Sequence, residues 1–303
     1  MISDKEIVCP NNLLDAAHQK KGILAGIVNA GKSITMMSVM DAVNENLISP
    51  IFIGDKKEIK KCAIDLNFDI SKFELIDERS ENKTAVIAAE LASQGKIKII
   101  VKGHIHTDVL MKEVIKKKYN LIGKTRLSHI WHMSLDKEDK PLIITDGALN
   151  VSPNVKTKMH ILKNAINFCN RIGNKRPKVS VLSATEEVLE SVQSSLDAKE
   201  ITEIAKKENL NADVFGPLAF DNSISKKSAE IKGINHIVAG KADVLLVPSV
   251  ETGNALVKIM VYFMGACAAG VVVGGKVPVV ITSRSDVATA RLASIAAAVV
   301  ALD

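Results

Sequence analysis

Short runs of β-branched and other apolar residues alternate along the chain with longer segments in which apolar residues recur at helical spacing. This alternation is typical of parallel strands joined by helices, because such strands are buried on both faces and need a long crossover between them. The pattern therefore predicts an α/β fold of mostly parallel sheets with helices on both faces. The predicted strands are residues 22–28, 50–53, 73–76, 97–101, 141–144, 178–182, 213–215, 244–247 and 277–281.

A charged turn, DKEDK at residues 136–140, separates two apolar runs and suggests a domain junction. A chain of 303 residues is also long enough for two medium domains. We predict a first α/β domain formed by residues 1–138 together with 284–303, and a second formed by 139–283. The Ala-rich segment 287–302 is the predicted last helix, with Ser285 and Asp286 as its candidate caps, and it would return to the first domain.

Composition narrows the class of function. The net charge of +6 suits an anionic ligand without requiring one. Only 3% of residues are aromatic, so the stacking platforms of a nucleic-acid binder are scarce and no nucleic-acid partner is expected. The four cysteines form no C-x-x-C pair, which disfavours a zinc site or a disulfide framework.

The sequence also predicts where in the cell the protein is located. The N-terminal segment MISDKEIVCPNN lacks the basic start and apolar core of a signal peptide, and the longest apolar stretches are far shorter than a membrane span. These observations, with the unpaired pattern of cysteines, predict a cytoplasmic protein without a membrane partner.

One motif suggests a competing function. Residues 26–33, GIVNAGKS, satisfy the phosphate-loop pattern G-x-x-x-x-G-K-[ST] between a predicted strand and a predicted helix. A nucleotide-dependent kinase is therefore an alternative, with Lys32 reaching the terminal phosphates and Ser33 binding magnesium. Against it, Ile27 and Val28 extend the strand and leave only four residues for a loop.

Ordered blocks along most of the chain carry a stronger signal. They read VKGHIHTDVL (101–110), TRLSHIW (125–131), ITDGALNVSPNVKTK (144–158), ILKNAINF (161–168), VLSATEEV (181–188), GPLAFDNSIS (216–225), VAGKADVLLVPSVETGN (238–254) and GGKVPVVITSRSD (274–286). Together they resemble the phosphate acetyl/butyryltransferase family, most closely its butyryl branch. One departure is NAGKSITMM at 29–37, where the family usually has an acidic, Ala-rich stretch.

The resemblance implies a reversible transfer of an acyl group, butyryl or branched, between coenzyme A and inorganic phosphate. It also implies two domains related to isocitrate and isopropylmalate dehydrogenases, an active site in the interdomain cleft, and a homodimer or higher oligomer. No metal and no cofactor beyond the substrate coenzyme A are expected. Acetyl and propionyl chains remain open alternatives.

Three residues near the C-terminus are the catalytic candidates. The resemblance places an acidic base after a Ser-Arg pair, which points to Asp286, although a helix cap explains this residue equally well. Ser283 would donate a hydrogen bond to the oxyanion, or serve only in a turn. Arg284 would hold phosphate with its planar fork, or form an interdomain salt bridge.

Polar residues near the ends of predicted strands are the substrate-binding candidates. Phosphate ligands are expected from two loops, and further cleft-lining groups from three others, for which capping and loop hydrogen bonds are an equally good explanation. The substrate-binding candidates are Lys102, Thr107, Arg126, Ser128, Asp146, Asp221, Glu251 and Asn254. His129 is expected to be a core residue, and the apolar surroundings of Cys267 are expected to raise its pKa.

Overall fold

The computed structural model describes residues 2–137, 140–282 and 286–302. Its helices are α1 (Asn11–His18), α2 (Ser33–Asn44), α3 (Lys56–Asp65), α4 (Glu81–Ser93), α5 (Thr107–Val114), α6 (Val155–Arg171), α7 (Gln193–Lys207), α8 (Phe220–Ile224), α9 (Lys226–Ile231), α10 (Val250–Met264) and α11 (Ala288–Ala301). A short 3₁₀ helix spans Lys117–Tyr119. Its strands are β1 (Leu24–Val28), β2 (Ser49–Gly54), β3 (Leu75–Asp77), β4 (Ile99–Lys102), β5 (Ser128–Ser134), β6 (Leu142–Thr145), β7 (Lys178–Leu182), β8 (Asp213–Leu218), β9 (Val244–Leu246), β10 (Cys267–Val273) and β11 (Val279–Val280). This mixture of helices and mostly parallel strands confirms the predicted α/β class.

The described residues divide into two compact units. The first unit contains residues 7–124, 136–137, 267–282 and 286–302, and the second contains 2–6, 125–135 and 140–266. This division differs from the predicted boundaries at 2–6, 125–135 and 267–282. Strand pairing explains the difference, since β5 pairs with β6 while β11 pairs with β4 and β10.

In the first unit the strand order is β3-β2-β1-β4-β11-β10. All neighbouring pairs are parallel except β10 with β11. Parallel pairing aligns the carboxyl ends of β1 and β4, with Val28 opposite Lys102. The loops that follow these two strands therefore leave the same edge of the sheet.

In the second unit the strand order is β5-β6-β9-β7-β8. Only the β5–β6 pair is antiparallel. Helix α6 packs against β5, β6 and β9, and α7 packs against β7 and β8. The core includes the fully buried Leu162 and Val179, and Phe168, which is 2% exposed.

Helix α11 is the most buried helix of the first unit. It packs against α1, α2 and β10, and Ala293, Ala296 and Ala297 are fully buried there. Small side chains allow this close packing, which explains the Ala-rich sequence. The cap position is Val287 and has no side-chain capping bond, so Asp286 is not the helix cap; the other predicted cap, Ser285, lies outside the described residues.

Two strands were not predicted from the sequence. Strand β5, SHIWHMS, is buried along its whole length although it carries two serines and two histidines. Strand β10 begins with the small residues CAAG before its valines. Neither has the uninterrupted β-branched run that marks a buried strand. No helix within the described ranges is both long and apolar enough to cross a membrane.

Candidate active site

The predicted catalytic segment is described only at its C-terminal end. Ser283 and Arg284 lie outside the described residues. Asp286 is half-buried, and its backbone carbonyl accepts a hydrogen bond from Nε of Arg291 at 3.2 Å. Arg291 therefore ties the C-terminal end of this segment to α11.

Arg291 is a buried cation. Arg291 is only 7% exposed. Burial lowers its pKa and the negative charge of Asp286 opposes that effect, but a guanidinium stays charged because its ordinary pKa is above 12. Arg291 was not among the site residues predicted from the sequence. A usable signal was present, since Arg291 is the one charged residue in the helical segment ATARLASIAAAVVA.

A cavity of about 440 Å³ lies in the first unit, beside the loops that follow β1 and β4. Its lining includes the cationic groups Lys32, Lys102 and Arg291, the two histidines His104 and His106, the amide Asn29 and the carboxylate Glu81. Of the predicted ligands, Lys102 is the last residue of β4 and is 6% exposed. The structure thus brings Lys102 together with two cations that were not predicted as substrate ligands.

Gly103 allows the two loops of this cavity to approach closely. A Cβ at this position would lie 2.4 Å from the carbonyl oxygen of Asn29 and 2.5 Å from that of Val28. These contacts are far inside van der Waals distance. A larger residue would push the loops apart, so the glycine fixes the shape of the cavity.

Glu81 is engaged with His106. Its Oε1 accepts hydrogen bonds from the His106 backbone N–H at 2.5 Å and lies 2.7 Å from Nδ1 of the ring. The backbone bond, with the ring contact and the positive charges nearby, lowers the pKa of Glu81. Three side chains that are cationic at neutral pH thus share the cavity with a carboxylate that already has a partner, which makes the lining suited to an anion. Thr107, at the start of α5, is exposed and is not among the residues that line the cavity.

In the second unit, Asp146 organises a buried network after β6. Its Oδ1 accepts from the backbone N–H groups of Ala148 and Leu149, both at 2.9 Å. Its Oδ2 accepts from the His129 N–H at 3.0 Å and from the Asn150 side chain at 2.7 Å. Asp146 is 2% exposed. This geometry favours the loop-stabilising explanation for Asp146 over direct substrate contact.

The two predicted phosphate ligands of the second unit, Arg126 and Ser128, lie in different surroundings in the structure. Arg126 is exposed, and its Nε donates to Oδ1 of Asn150 at 2.9 Å, so it joins the Asp146 network from the surface. Ser128 is fully buried and accepts a hydrogen bond from Asn164 at 2.8 Å. Ser128 has no exposed surface in this structure, and its role as a phosphate ligand stays a prediction.

The remaining predicted ligands lie on two helices, Glu251 and Asn254 on α10 and Asp221 on α8. Asn254 donates to the Gly147 carbonyl at 3.4 Å, where Gly253 and Gly147 approach so closely that a Cβ on either would meet the other within 3 Å. Glu251 is exposed, and a hydrogen bond from Ser249 lowers its pKa. Asp221 is exposed and lies 3.3 Å from Nζ of Lys232 in an ion pair.

Two further residues match their predicted character. His129 is fully buried, with its ring 4.5 Å from that of Trp131, as expected for a core histidine. Cys267 is 1% exposed, and burial raises its pKa, with smaller contributions from Cys9 and Asp286. A thiol in this environment is a poor nucleophile.

A larger cavity of about 700 Å³ lies in the second unit, at the start of α6 and α7. Its buried lysine, Lys158, forms an ion pair with Asp197 at 2.8 Å. Glu200 also lines it. The positive charge of Lys158 is therefore offset within the unit.

The phosphate-loop motif does not form a long loop. Gly26, Ile27 and Val28 belong to β1, and α2 begins at Ser33, so the loop spans only residues 29–32. Asn29 makes the turn with a positive φ of 56°. The structure agrees with the objection that the strand consumes most of the motif.

Comparisons with known proteins identify the family. The model of the family described as "Phosphate acetyl/butaryl transferase" matches residues 78–299. A phosphate acetyltransferase from Rickettsia typhi is 38% identical over 285 residues, covering 93% of this chain and 82% of that protein. A phosphate butyryltransferase from Clostridium acetobutylicum is 34% identical over 290 residues, covering 95% and 96%.

A solved structure supports the same family assignment. The crystal structure of a branched-chain phosphotransacylase from Enterococcus faecalis V583 matches with a TM-score of 0.80 at 30% identity, covering 91% of this chain and 97% of that one. The chain therefore belongs to the phosphate acetyl/butyryltransferase family and is an acyltransferase. None of these similarities supports the alternative of a nucleotide-dependent kinase.

Proposed function

We propose that this protein transfers a short acyl chain, butyryl or branched, reversibly between coenzyme A and inorganic phosphate. The observation that carries the proposal is the match over nearly the whole chain to relatives named phosphate acetyltransferase and phosphate butyryltransferase. The butyryl or branched preference draws support from the butyryltransferase, matched over 96% of its length, and from the branched-chain phosphotransacylase fold.

The chemistry requires a base, an oxyanion donor and a phosphate ligand. In the direction of thioester synthesis, Asp286 accepts the proton of the coenzyme A thiol, and the sulfur attacks the acyl carbon of the acyl phosphate. Ser283 donates a hydrogen bond to the oxyanion, and the carbon–oxygen bond to phosphate breaks. Arg284 holds the departing phosphate. The chain's own residues suffice for these steps, so we propose no metal and no cofactor beyond coenzyme A.

The transfer is direct in this proposal, without an acyl-enzyme. The raised pKa of Cys267 supports this view, because a buried neutral thiol attacks slowly. Initial-rate plots that vary both substrates should therefore intersect, as expected for a ternary complex. Parallel lines with an isolable acyl-enzyme would overturn the direct mechanism. We further propose a cytoplasmic homodimer or higher oligomer, to be checked by light scattering.

The decisive experiment is phosphate-dependent release of free thiol from acetyl-, butyryl- and isobutyryl-coenzyme A, followed with a thiol reagent. Rapid release, with butyryl or isobutyryl preferred in kcat/KM, is the expected result. Preference for acetyl would overturn only the proposed acyl class. No phosphate-dependent release from any of the three thioesters would overturn the proposed function.

A further inference from the structure

Helix α10 of the second unit is apolar but largely exposed. Its sequence, VETGNALVKIMVYFM, carries two charged residues, and of its fifteen residues, all of them described, only Gly253 and Val257 are buried. The helix packs against β5 and β6. Helix α11 is similarly apolar and buries ten of its fourteen described residues. Because a helix that is apolar on all sides is normally covered on all sides, the exposed part of α10 requires an explanation.

The exposed apolar side chains of α10 recur at helical spacing. Leu256, Ile259 and Phe263 are three and four residues apart, which places them on one side of the helix, and Tyr262 borders this row. Ile259 is 52% exposed and Phe263 is 61% exposed, while Leu256 and Tyr262 are half-buried. This spacing is typical of a helix that packs against another helix.

The N-terminal segment extends this row. The backbone N–H of Ile2 donates to the Tyr262 carbonyl at 3.0 Å, and Ile2 is 68% exposed. Met264, which ends α10, is 43% exposed. At about 200 Å² for a fully exposed side chain of this size, Ile2, Ile259, Phe263 and Met264 leave about 450 Å² of apolar surface exposed. Apolar patches of this size mark interaction sites. The α10 patch consists of Ile2, Leu256, Ile259, Tyr262, Phe263 and Met264.

We propose that the α10 patch packs against the same patch of a second copy of this chain. The inference rests on the oligomer named in the proposed function and deepens it by assigning the interface. In a two-fold dimer one patch supplies both sides of the interface. A standard interface buries about 800 Å² on each partner, and in homodimers about 65% of that area is apolar. The α10 patch supplies most of this apolar area, so it is large enough to form the centre of a stable dimer.

The residue types of the patch favour a second copy over a partner of different chemistry. Met, Tyr and Phe are enriched in protein interfaces, and the patch carries all three although only 3% of the chain is aromatic. The charged residues of the helix, Glu251 and Lys258, lie seven residues apart beside the patch and have opposite signs. Two copies therefore meet without like-charge repulsion, whereas a nucleic acid or an anionic membrane would require a cluster of cations.

Helix α10 also connects the patch to predicted substrate ligands. Its N-terminal half carries Glu251 and Asn254, and Asn254 donates to the Gly147 carbonyl at 3.4 Å. The helix and the loop after β6 are in close contact there, since a Cβ on Gly253 would lie 2.7 Å from the Gly147 Cα. A second copy packed on α10 holds the helix, and with it this contact, in place. Loss of the second copy should therefore lower catalysis.

The first measurement is the molar mass, by light scattering, of wild type, Ile259→Glu and the matched control Ile231→Glu. Ile231 lies on α9 of the same unit and is 76% exposed, so the control places the same charge at another exposed isoleucine. Wild type and control should have the mass of at least two chains. In Ile259→Glu the dissociation constant should rise by about 30-fold or more, as for a residue at the centre of an interface. Phe263→Glu should act in the same way.

Two results would overturn the proposed interface. One is a wild type with the mass of a single chain at micromolar concentration. The other is association that Ile259→Glu and Phe263→Glu both leave unchanged, which would place the interface on another surface. Neither result depends on turnover, so failure of the interface is distinguishable from failure of the proposed acyl transfer.

The second measurement is phosphate-dependent thiol release per chain, at protein concentrations where wild type is associated and Ile259→Glu is dissociated. The rate of Ile259→Glu should be lower by about fivefold or more and should recover as higher protein concentration restores association. The control should match the wild type. A dissociated Ile259→Glu with the wild-type rate per chain would overturn the link between association and the loop after β6.

Discussion

Two polar clusters follow buried strands in this molecule, one in each unit, and they use their polar groups differently. After β6 in the second unit, Asp146 accepts four hydrogen bonds from its own loop, from His129 and from Asn150. After β1 and β4 in the first unit, Lys32 and Lys102 line an open cavity with Arg291. The same sequence pattern thus produces a structural network in one unit and the lining of a cavity in the other.

The largest predicted effect concerns the structural cluster. Asp146→Ala would leave buried donors around the loop without their acceptor, and each such loss costs about 1 to 3 kcal/mol. We expect the free energy of unfolding to fall by about 4 kcal/mol, measured by urea denaturation. Asp221→Ala, which removes a half-exposed carboxylate in the same unit, should cost less than about 1 kcal/mol. Equal losses for the two variants would contradict the assigned network.

A second prediction concerns His132, a buried residue of β5 in the same unit. Burial lowers the pKa of His132 to about 4 from its ordinary value of 6.5. As the pH falls below 6.5, the unfolded chain binds a proton that the folded protein does not, so stability is lost until about pH 4. The loss should reach about 3 kcal/mol, since each pKa unit corresponds to 1.36 kcal/mol.

The test for His132 is the slope of stability against pH. His132→Asn removes the titrating ring while keeping a polar side chain of similar reach, so its unfolding free energy should depend less on pH between 6.5 and 4. Comparing slopes rather than absolute stabilities allows for a variant that is uniformly less stable. An unchanged slope would mean that another group controls the acid sensitivity.

Sequence patterns predicted most of this fold because parallel strands carry a simple signal. The run KVSVL, predicted and observed as β7 at the same residues, is buried at four of its five positions. Strands β5 and β10 were missed because buried serines, histidines and small residues break that signal. The buried Ser128, for example, accepts a hydrogen bond from Asn164, which lies far along the chain. A local pattern does not contain these partners.

The candidate site was predictable only in part for a related reason. Lys102 was found because it follows a strand, while Arg291 was missed because its role depends on packing that brings α11 beside β4. Ser128 was selected because it lies two residues from Arg126, yet Arg126 precedes β5 and is exposed, while Ser128 begins β5 and is fully buried. Spacing along the chain identifies candidate site residues, but the burial of each candidate is known only from the structure.

A third prediction separates catalysis from structure at Asp286. Asp286→Asn keeps the backbone contact with Arg291 but removes the negative charge beside that buried guanidinium, so the variant should stay folded and lose about 1 kcal/mol of stability. If the carboxylate is the base, kcat should fall by about 100-fold or more. Thiol release and thermal unfolding of the same preparation measure both. A stable variant with full activity would remove Asp286 from the catalytic role.

The smallest predicted effect concerns Glu81, the carboxylate in the lining of the first-unit cavity. Glu81 has a lowered pKa through its bonds with His106, so the folded state favours the charged form. Its stabilisation is present above pH 4.5, the ordinary pKa, and is lost as the pH falls through the lowered value. Because the Glu81 side chain is 36% exposed, Glu81→Gln should cost only about 0.5 kcal/mol at pH 7. The difference from wild type, measured by urea denaturation across pH 3 to 7, should shrink toward acid. A difference that stays constant across this pH range would contradict the assigned bonds between Glu81 and His106.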